Sequence, residues 1–275
     1  MSSKSVRFIP SNRLEQYNVV NEKGQDLGRV QNLVIDMLAG RIAFVIIAFM
    51  SRGGQKGEEE RGLFDLSDKW FAMPWEILAW RPEQKRFFLD IKKEVIEKAP
   101  GMHKENWLEE IDMDWLAKNY NHYGRSPYWG SSIVGEKLEH SARFIPTNRL
   151  DQYKVVNEKD QDMGRVQNLV IDMVAGRIAF VVVTFISQVG QEVAGKGILG
   201  LTDKWFALPW EIMAWRPEYR KFILDIKREV LEKAPGMDKD KWVEEIDLKW
   251  LASNYNYYGR SPYWESSIVG EKEKK

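Results

Sequence analysis

Two stretches of the chain share one pattern of apolar and polar positions. LGRVQNLVIDMLAGRIAFVIIAF runs from Leu27 to Phe49, and MGRVQNLVIDMVAGRIAFVVVTF from Met163 to Phe185. In each, an apolar run, a turn ending in Ala-Gly and a second β-branched run predict a β-hairpin. Gly40 offers the positive φ that such a turn requires. Ile42 to Phe49 is almost wholly apolar, which predicts burial on both faces or a strand wrapping a barrel. Before the hairpin, Arg7 to Leu14 reads as a lead-in with a Pro and a turn-prone Ser-Asn pair, and Tyr17 to Asn21 as a short strand. After it, Phe71 to Met73, Leu78 to Arg81 and Arg86 to Ile91 read as strands. Pro74 cannot donate to a ladder, so the chain must bend there.

The pattern then changes to helical spacing. Lys92 to Lys98 predicts a helical turn or two, stopped by Pro100-Gly101. His103 to Glu110 and Asp112 to Tyr123 predict further helix. The segment closes with YGRSPYW, Tyr123 to Trp129, an extended aromatic tail that needs an apolar surface beneath it.

All of this occurs twice. Phe8 matches Phe144 and Gly28 matches Gly164, both 136 positions on, whereas Trp70 matches Trp205 at 135. From Arg7 to Phe49 about four positions in five are identical in the second copy. The 12 tryptophans form register-matched pairs: Trp70/Trp205, Trp75/Trp210, Trp80/Trp215, Trp107/Trp242, Trp115/Trp250 and Trp129/Trp264. Paired large aromatics predict core positions with the same neighbours. The loops Ser51 to Ser67 and Ser187 to Thr202 barely match, as expected of surface connections. Two fused repeats follow, residues 1–135 and 136–275. Each is a β module with a helical extension and a tail.

Composition narrows the function classes. The chain of 275 residues is 44% hydrophobic and 12% aromatic, which predicts a packed globular protein. Its 41 basic and 41 acidic residues cancel, so no strong nucleic-acid signal is present. There is no cysteine, which excludes disulfides and thiolate sites and fits a cytoplasmic location. No signal-peptide core is evident at the N-terminus, and no apolar run approaches the about 20 residues of a membrane-spanning helix. Peripheral contact with a membrane stays open.

Candidate chemistry is sparse. His103, His122 and His140 have no counterparts in the second copy. The acids Glu109, Glu110, Asp112 and Asp114, with Glu244, Glu245 and Asp247, read as helix-start residues on a solvated face. Glu158 to Arg165 lacks the spacing of a calcium loop and reads as a turn. Asp36 and Asp172, one at each hairpin tip, read as acceptors for turn amides. No phosphate loop, dinucleotide fingerprint or nucleophile elbow occurs. No catalytic, cofactor or metal residue is therefore assigned. The candidate interaction residues are Arg125, Tyr128 and Trp129, with Arg260, Tyr263 and Trp264. Arg among Tyr and Trp is a frequent hot-spot composition, and an internal clamp is its structural alternative.

LGRVQNLVIDMLAGRIAFVII, WFAMPWEILAW and the Arg-Phe-Phe-Leu-Asp strand resemble the PRC-barrel family, with the pattern Gly28, Asp36, Gly40, Pro74-Trp75. The tails, APGMHKENW and APGMDKDKW with YGRSPYW in both copies, resemble the extension of stand-alone bacterial members. The resemblance implies a mainly β fold with helical extensions: two tandem small barrels arranged as a pseudo-twofold dimer. It implies a docking surface without shared catalytic residues, a protein partner and self-association. Two other functions are carried beside this one. An RNA- or ribosome-associated role follows by analogy with the RimM barrel, and a small ligand or cation could bind between the repeats.

Overall fold

The computed structural model describes residues 7–49, 69–104, 113–131, 143–185, 204–216, 219–238 and 248–265. In the first repeat the strands are β1 (Phe8–Pro10), β2 (Asn18–Val20), β3 (Asp26–Asp36), β4 (Arg41–Phe49), β5 (Lys69–Pro74), β6 (Leu78–Arg81), β7 (Arg86–Leu89) and β8 (Met102–His103). The helices are α1 (Lys93–Glu97) and α2 (Met113–His122). The second repeat follows the same order. Its strands are β9 (Phe144–Pro146), β10 (Lys154–Val156), β11 (Asp162–Asp172), β12 (Arg177–Phe185), β13 (Lys204–Pro209), β14 (Met213–Arg216), β15 (Lys221–Leu224) and β16 (Gly236–Asp238), and its helices α3 (Arg228–Glu232) and α4 (Leu248–Tyr257).

The hairpin forms where the pattern predicts it. β3 and β4 pair antiparallel from Gly28↔Phe49 to Asp36↔Arg41. Gly40 closes the turn at φ +61°. A bulge leaves Gln31 unpaired, since Val30 faces Ile47 and Asn32 faces Ile46. Bulges add twist and bend the strand. β2 continues the sheet antiparallel to β3 and parallel to β7, and β6 lies on β7. On the other flank β5 pairs with β4, and β8 with β5. The order is β6-β7-β2-β3-β4-β5-β8, mirrored by β14-β15-β10-β11-β12-β13-β16. Among the described residues nothing pairs β6 to β5 or β8, so each barrel is open rather than closed.

Ile42 to Ile47 are all fully buried, which explains the unbroken apolar run. Phe44 and Ile46 pack with Val34, Ala72, Leu116, Tyr120 and Trp129. Each such aliphatic or aromatic side chain contributes about 1.5–3 kcal/mol when withdrawn from water. Trp75, Trp129, Trp215 and Trp264 are buried and the other described tryptophans half-buried, so of the described pairs expected in the core only Trp129/Trp264 is buried in both copies. Trp107 and Trp242 lie outside the described residues.

Three elements differ from the sequence expectation. The lead-in is not only a turn: it forms β1 and then a 3-10 turn over Ser11–Gln16. His103 ends the short strand β8, because its backbone pairs with Lys69. The tail is irregular over 125–127 and then turns at Tyr128–Ser131.

By contacts the chain divides into two compact units. The first is Met1–Leu150 with Ile171–Ile178, and the second Asp151–Val170 with Ala179–Lys275. The second repeat's lead-in and hairpin end thus belong to the first unit. Within it the two hairpin ends meet reciprocally. Ile42 N–H donates to Gly176 O at 2.9 Å, and Ile178 N–H to Gly40 O at 2.9 Å. Arg41 pairs with its own counterpart, Arg177.

Candidate functional site

The polar centre of the first unit is Asp36, at the end of β3. A tight turn leaves backbone amides without partners, and a carboxylate two or three residues earlier can accept them. Asp36 Oδ1 accepts from Leu38 N–H and Ala39 N–H, each at 3.1 Å. That much was legible from its position. The rest was not: Arg143, in the other copy's lead-in, donates through Nε to Oδ1 at 3.0 Å and through Nη2 to Oδ2 at 2.7 Å. Tyr128 Oη donates to Oδ2 at 3.0 Å. The carboxylate is 0% exposed and saturated on both oxygens.

The second hairpin tip repeats the arrangement. Asp172 Oδ1 accepts from Val174 N–H at 3.0 Å and Ala175 N–H at 3.1 Å. Arg7 donates through Nε at 3.0 and 3.1 Å and through Nη2 at 2.8 Å. Each copy's aspartate is thus held by the other copy's arginine. The available signal was a buried acid at each hairpin tip and an Arg before Phe-Ile-Pro in each lead-in, both recurring at one offset.

Around Asp36 the groups form a chain of contacts. Arg41 stacks over the Tyr128 ring at 4.2 Å and pairs with Glu76. The Tyr120 hydroxyl lies 3.2 Å from both Ala43 O and Glu76 Oε2, and its single proton is shared between them. Burial, then the neighbouring Glu76 carboxylate, raises the Tyr120 pKa far above the ordinary tyrosine value. Burial, then Asp36, does the same for Tyr128. Tyr123 and Tyr258 are raised mainly by burial.

These shifts fix the sign of an alkaline effect. Tyrosines in the unfolded chain lose their protons near pH 10, while these four keep theirs in the fold. Above pH 10 the unfolded state therefore binds fewer protons, and stability falls as pH rises. The stabilisation is complete below pH 10 and is lost progressively above it. Denaturant titrations at pH 9, 10 and 11 are expected to give falling midpoints. An ultraviolet tyrosinate titration should show a late group that ionises only on unfolding.

The six candidate residues fall into two sets. Trp129 is 3% exposed and packs edge-on against Tyr120 at 4.8 Å, Phe144 at 4.9 Å and Tyr128 at 5.0 Å. In the second unit Trp264 is also 3% exposed, against Tyr255 at 4.8 Å and Tyr263 at 5.0 Å. Tyr128 and Tyr263 are half-buried beside them. Arg125 and Arg260 are exposed. Their backbone amides donate to Tyr120 O and Tyr255 O, each at 2.9 Å, which anchors the tail to its helix. The internal cation–π partner of the tail is Arg41 rather than Arg125.

The other sequence candidates are dispersed. His103 is exposed, and His122 Nε2 lies 2.7 Å from Val95 O. His140, both divergent loops and the acids Glu109, Glu110, Asp112, Glu244, Glu245 and Asp247 lie outside the described residues. Among the described residues no group of three or more His, Cys, Asp or Glu side chains is placed to hold a metal ion. The stretch Glu158 to Arg165 is a turn. Asn157 Oδ1 accepts from Lys159 N–H and Gln161 N–H, and Asp160, at φ +58°, pairs with Lys221 Nζ at 2.7 Å. A groove of about 170 Å³ lies beside it in the second unit, lined by Asn157, Asp160, Arg216, Tyr219 and Lys221. No described helix is long and apolar enough to cross a membrane.

A family model described as PRC-barrel domain matches residues 7–96 and again 143–231. No curated protein matches the chain. The two matched spans take in both hairpins, both lead-in arginines and both turn aspartates, and stop before α2 and α4.

Proposed function

Since the chain belongs to the PRC-barrel family through both of its repeats, we propose that it is a non-catalytic docking module that binds a protein partner in the cytoplasm. One observation carries the non-catalytic part. Asp36, which with Asp172 is fully buried, accepts hydrogen bonds on both carboxylate oxygens, from turn amides, Arg143 and Tyr128. A carboxylate so held has no free lone pair for proton transfer or for a cation. The partner surface is assigned to Arg125 and Arg260. Both are exposed and sit on tails fixed by buried tryptophans, and arginine beside tyrosine and tryptophan in sequence is a frequent hot-spot composition.

The test is affinity capture from native cytosol with the full chain as bait. It is compared with the double variant Arg125→Glu, Arg260→Glu, with folding of both baits checked by circular dichroism. The expected result is one cross-linked partner whose recovery falls by about ten-fold with the variant, the loss of roughly 1.4 kcal/mol of contact energy. A folded wild-type bait that captures nothing specific would overturn the proposal. A salt-sensitive RNA gel shift of the wild-type chain would replace it with the nucleic-acid reading.

A further inference from the structure

The strand that completes the first hairpin does not come from the first repeat. β9 lies antiparallel on the end of β3, with Val34↔Pro146, Ile35↔Ile145 and Asp36↔Phe144. Met37 N–H donates to Arg143 O at 2.9 Å. Asn32 Oδ1 accepts from Thr147 N–H at 3.0 Å and from Thr147 Oγ1 at 2.9 Å. Phe144 is 2% exposed, and its ring packs edge-on against Trp129. Arg143 makes the two-pronged bond to Asp36 already described. This is recognition by strand addition: main-chain pairing gives affinity, and side-chain pockets give specificity. The pockets are a buried acid for an arginine, an aromatic wall for a phenylalanine and a buried amide for a Ser or Thr. Proline is tolerated because an added edge strand need not donate at that position.

We propose that the end of the first hairpin, Asn32 to Asp36 with Tyr128 and Trp129, is a docking site for an extended Arg-Phe-Ile-Pro-[Ser/Thr] segment. The partner it fits is a second chain of the same family that carries such a lead-in, and the chain's own residues 143–147 are the occupant in cis. This inference deepens the docking-module reading and rests on it. The reciprocal bond from Arg7 to Asp172 is what selects a family chain over an unrelated peptide. A repeat that receives this segment also gives one, which is the self-complementary logic of a paired interface. In the intact chain the tethered segment competes at an effective concentration of roughly millimolar, so an outside segment binds only when the inside one is weakened or displaced.

The probe is a fluorescent synthetic peptide of residues 141–150. The receptor is the full chain carrying Arg143→Ala and Phe144→Ala, which empties the arginine and phenylalanine pockets, weakens the tethered segment and changes no residue of the hairpin. Fluorescence anisotropy is expected to show saturable binding to this variant and at least about ten-fold weaker binding to the wild-type chain. A peptide with its first arginine replaced by alanine should lose about ten-fold, and adding Asp36→Ala to the receptor should abolish the signal. No saturable binding to a variant that melts cooperatively would overturn the proposal, as would binding indifferent to the arginine or to Asp36. Should the double variant fail to fold, Arg143→Lys serves as receptor with the same outcomes, since lysine keeps the charge and loses the fork. Failure here alongside a successful Arg125/Arg260-dependent capture would remove this site and leave the docking module standing.

Discussion

Asp36→Ala is expected to lower the stability of the chain by about 3–5 kcal/mol, the cost of stranding a buried charge. Two losses combine. Leu38 N–H and Ala39 N–H lose their acceptor inside a turn. The guanidinium of Arg143, with a side chain only 13% exposed, keeps its positive charge with no counterion at hand. Asp36→Asn separates the two. It retains an acceptor for the turn and loses the ionic half of the pair, so a smaller loss of about 2 kcal/mol is expected. Exchanging the charges, Asp36→Arg with Arg143→Asp, should not rescue the fold, because arginine cannot accept from the turn amides. A double-mutant cycle of Asp36→Ala with Arg143→Ala is expected to show coupling of about 1–3 kcal/mol. Urea titrations followed by tryptophan fluorescence supply all of these values. A single variant that matches the wild-type midpoint within about 0.5 kcal/mol would remove the ion pair from the account of stability.

This pair also marks the boundary of what one sequence reveals. The hairpin, the strands from Leu78 to Leu89 and the helix ending at His122 follow from local rules: alternation, β-branching, a glycine turn and helical spacing. The turn role of Asp36 is local too. The partner of Asp36 is not, because Arg143 lies 107 positions away in a segment whose own pattern says only "Pro-containing lead-in". Periodicity describes which face of an element is apolar and is silent about which other element covers it. The same limit explains His103, which joins a strand only because β5 passes beside it. It explains Arg125 as well. Composition placed an arginine beside tyrosine and tryptophan, but Arg41 from β4 is the cation that stacks on Tyr128. The duplication is the one non-local feature that sequence did carry. It was legible because paired tryptophans and paired glycines keep their register through each copy, and they do so by filling equivalent places in two cores.

Gly28→Ala is expected to be strongly destabilising, although Gly28, buried near the start of β3, has no left-handed backbone to protect. Its constraint is proximity. A Cβ built there would lie 2.2 Å from the carbonyl oxygen of Ala48 and 2.9 Å from the Cα of Phe49. Both obstacles are main chain and cannot swing aside as a side-chain tip would. The methyl group can enter only if β3 and β4 part at the Gly28↔Phe49 end of their ladder. That parting would loosen Phe49, whose ring packs on Phe71 at 5.3 Å. Overpacking of a close-packed interior costs typically 1–3 kcal/mol, and more where backbone must move, so a loss of about 3 kcal/mol or more is expected. Gly24→Ala is the internal control. Gly24 has φ +73° and nothing within 4 Å of a new Cβ, so only the left-handed strain of about 1–2 kcal/mol applies. The second copy holds Asp160 at that place with φ +58°, which shows that a side chain is accommodated there. Gly164→Ala should reproduce Gly28→Ala, since its Cβ would meet the Thr184 carbonyl oxygen at 2.0 Å. Urea midpoints ordered wild type, then Gly24→Ala, then Gly28→Ala and Gly164→Ala together would establish close strand approach as the reason for glycine in both hairpins. If instead Gly24→Ala proved the more damaging, backbone conformation would be the dominant constraint, and the account of strand proximity would fail.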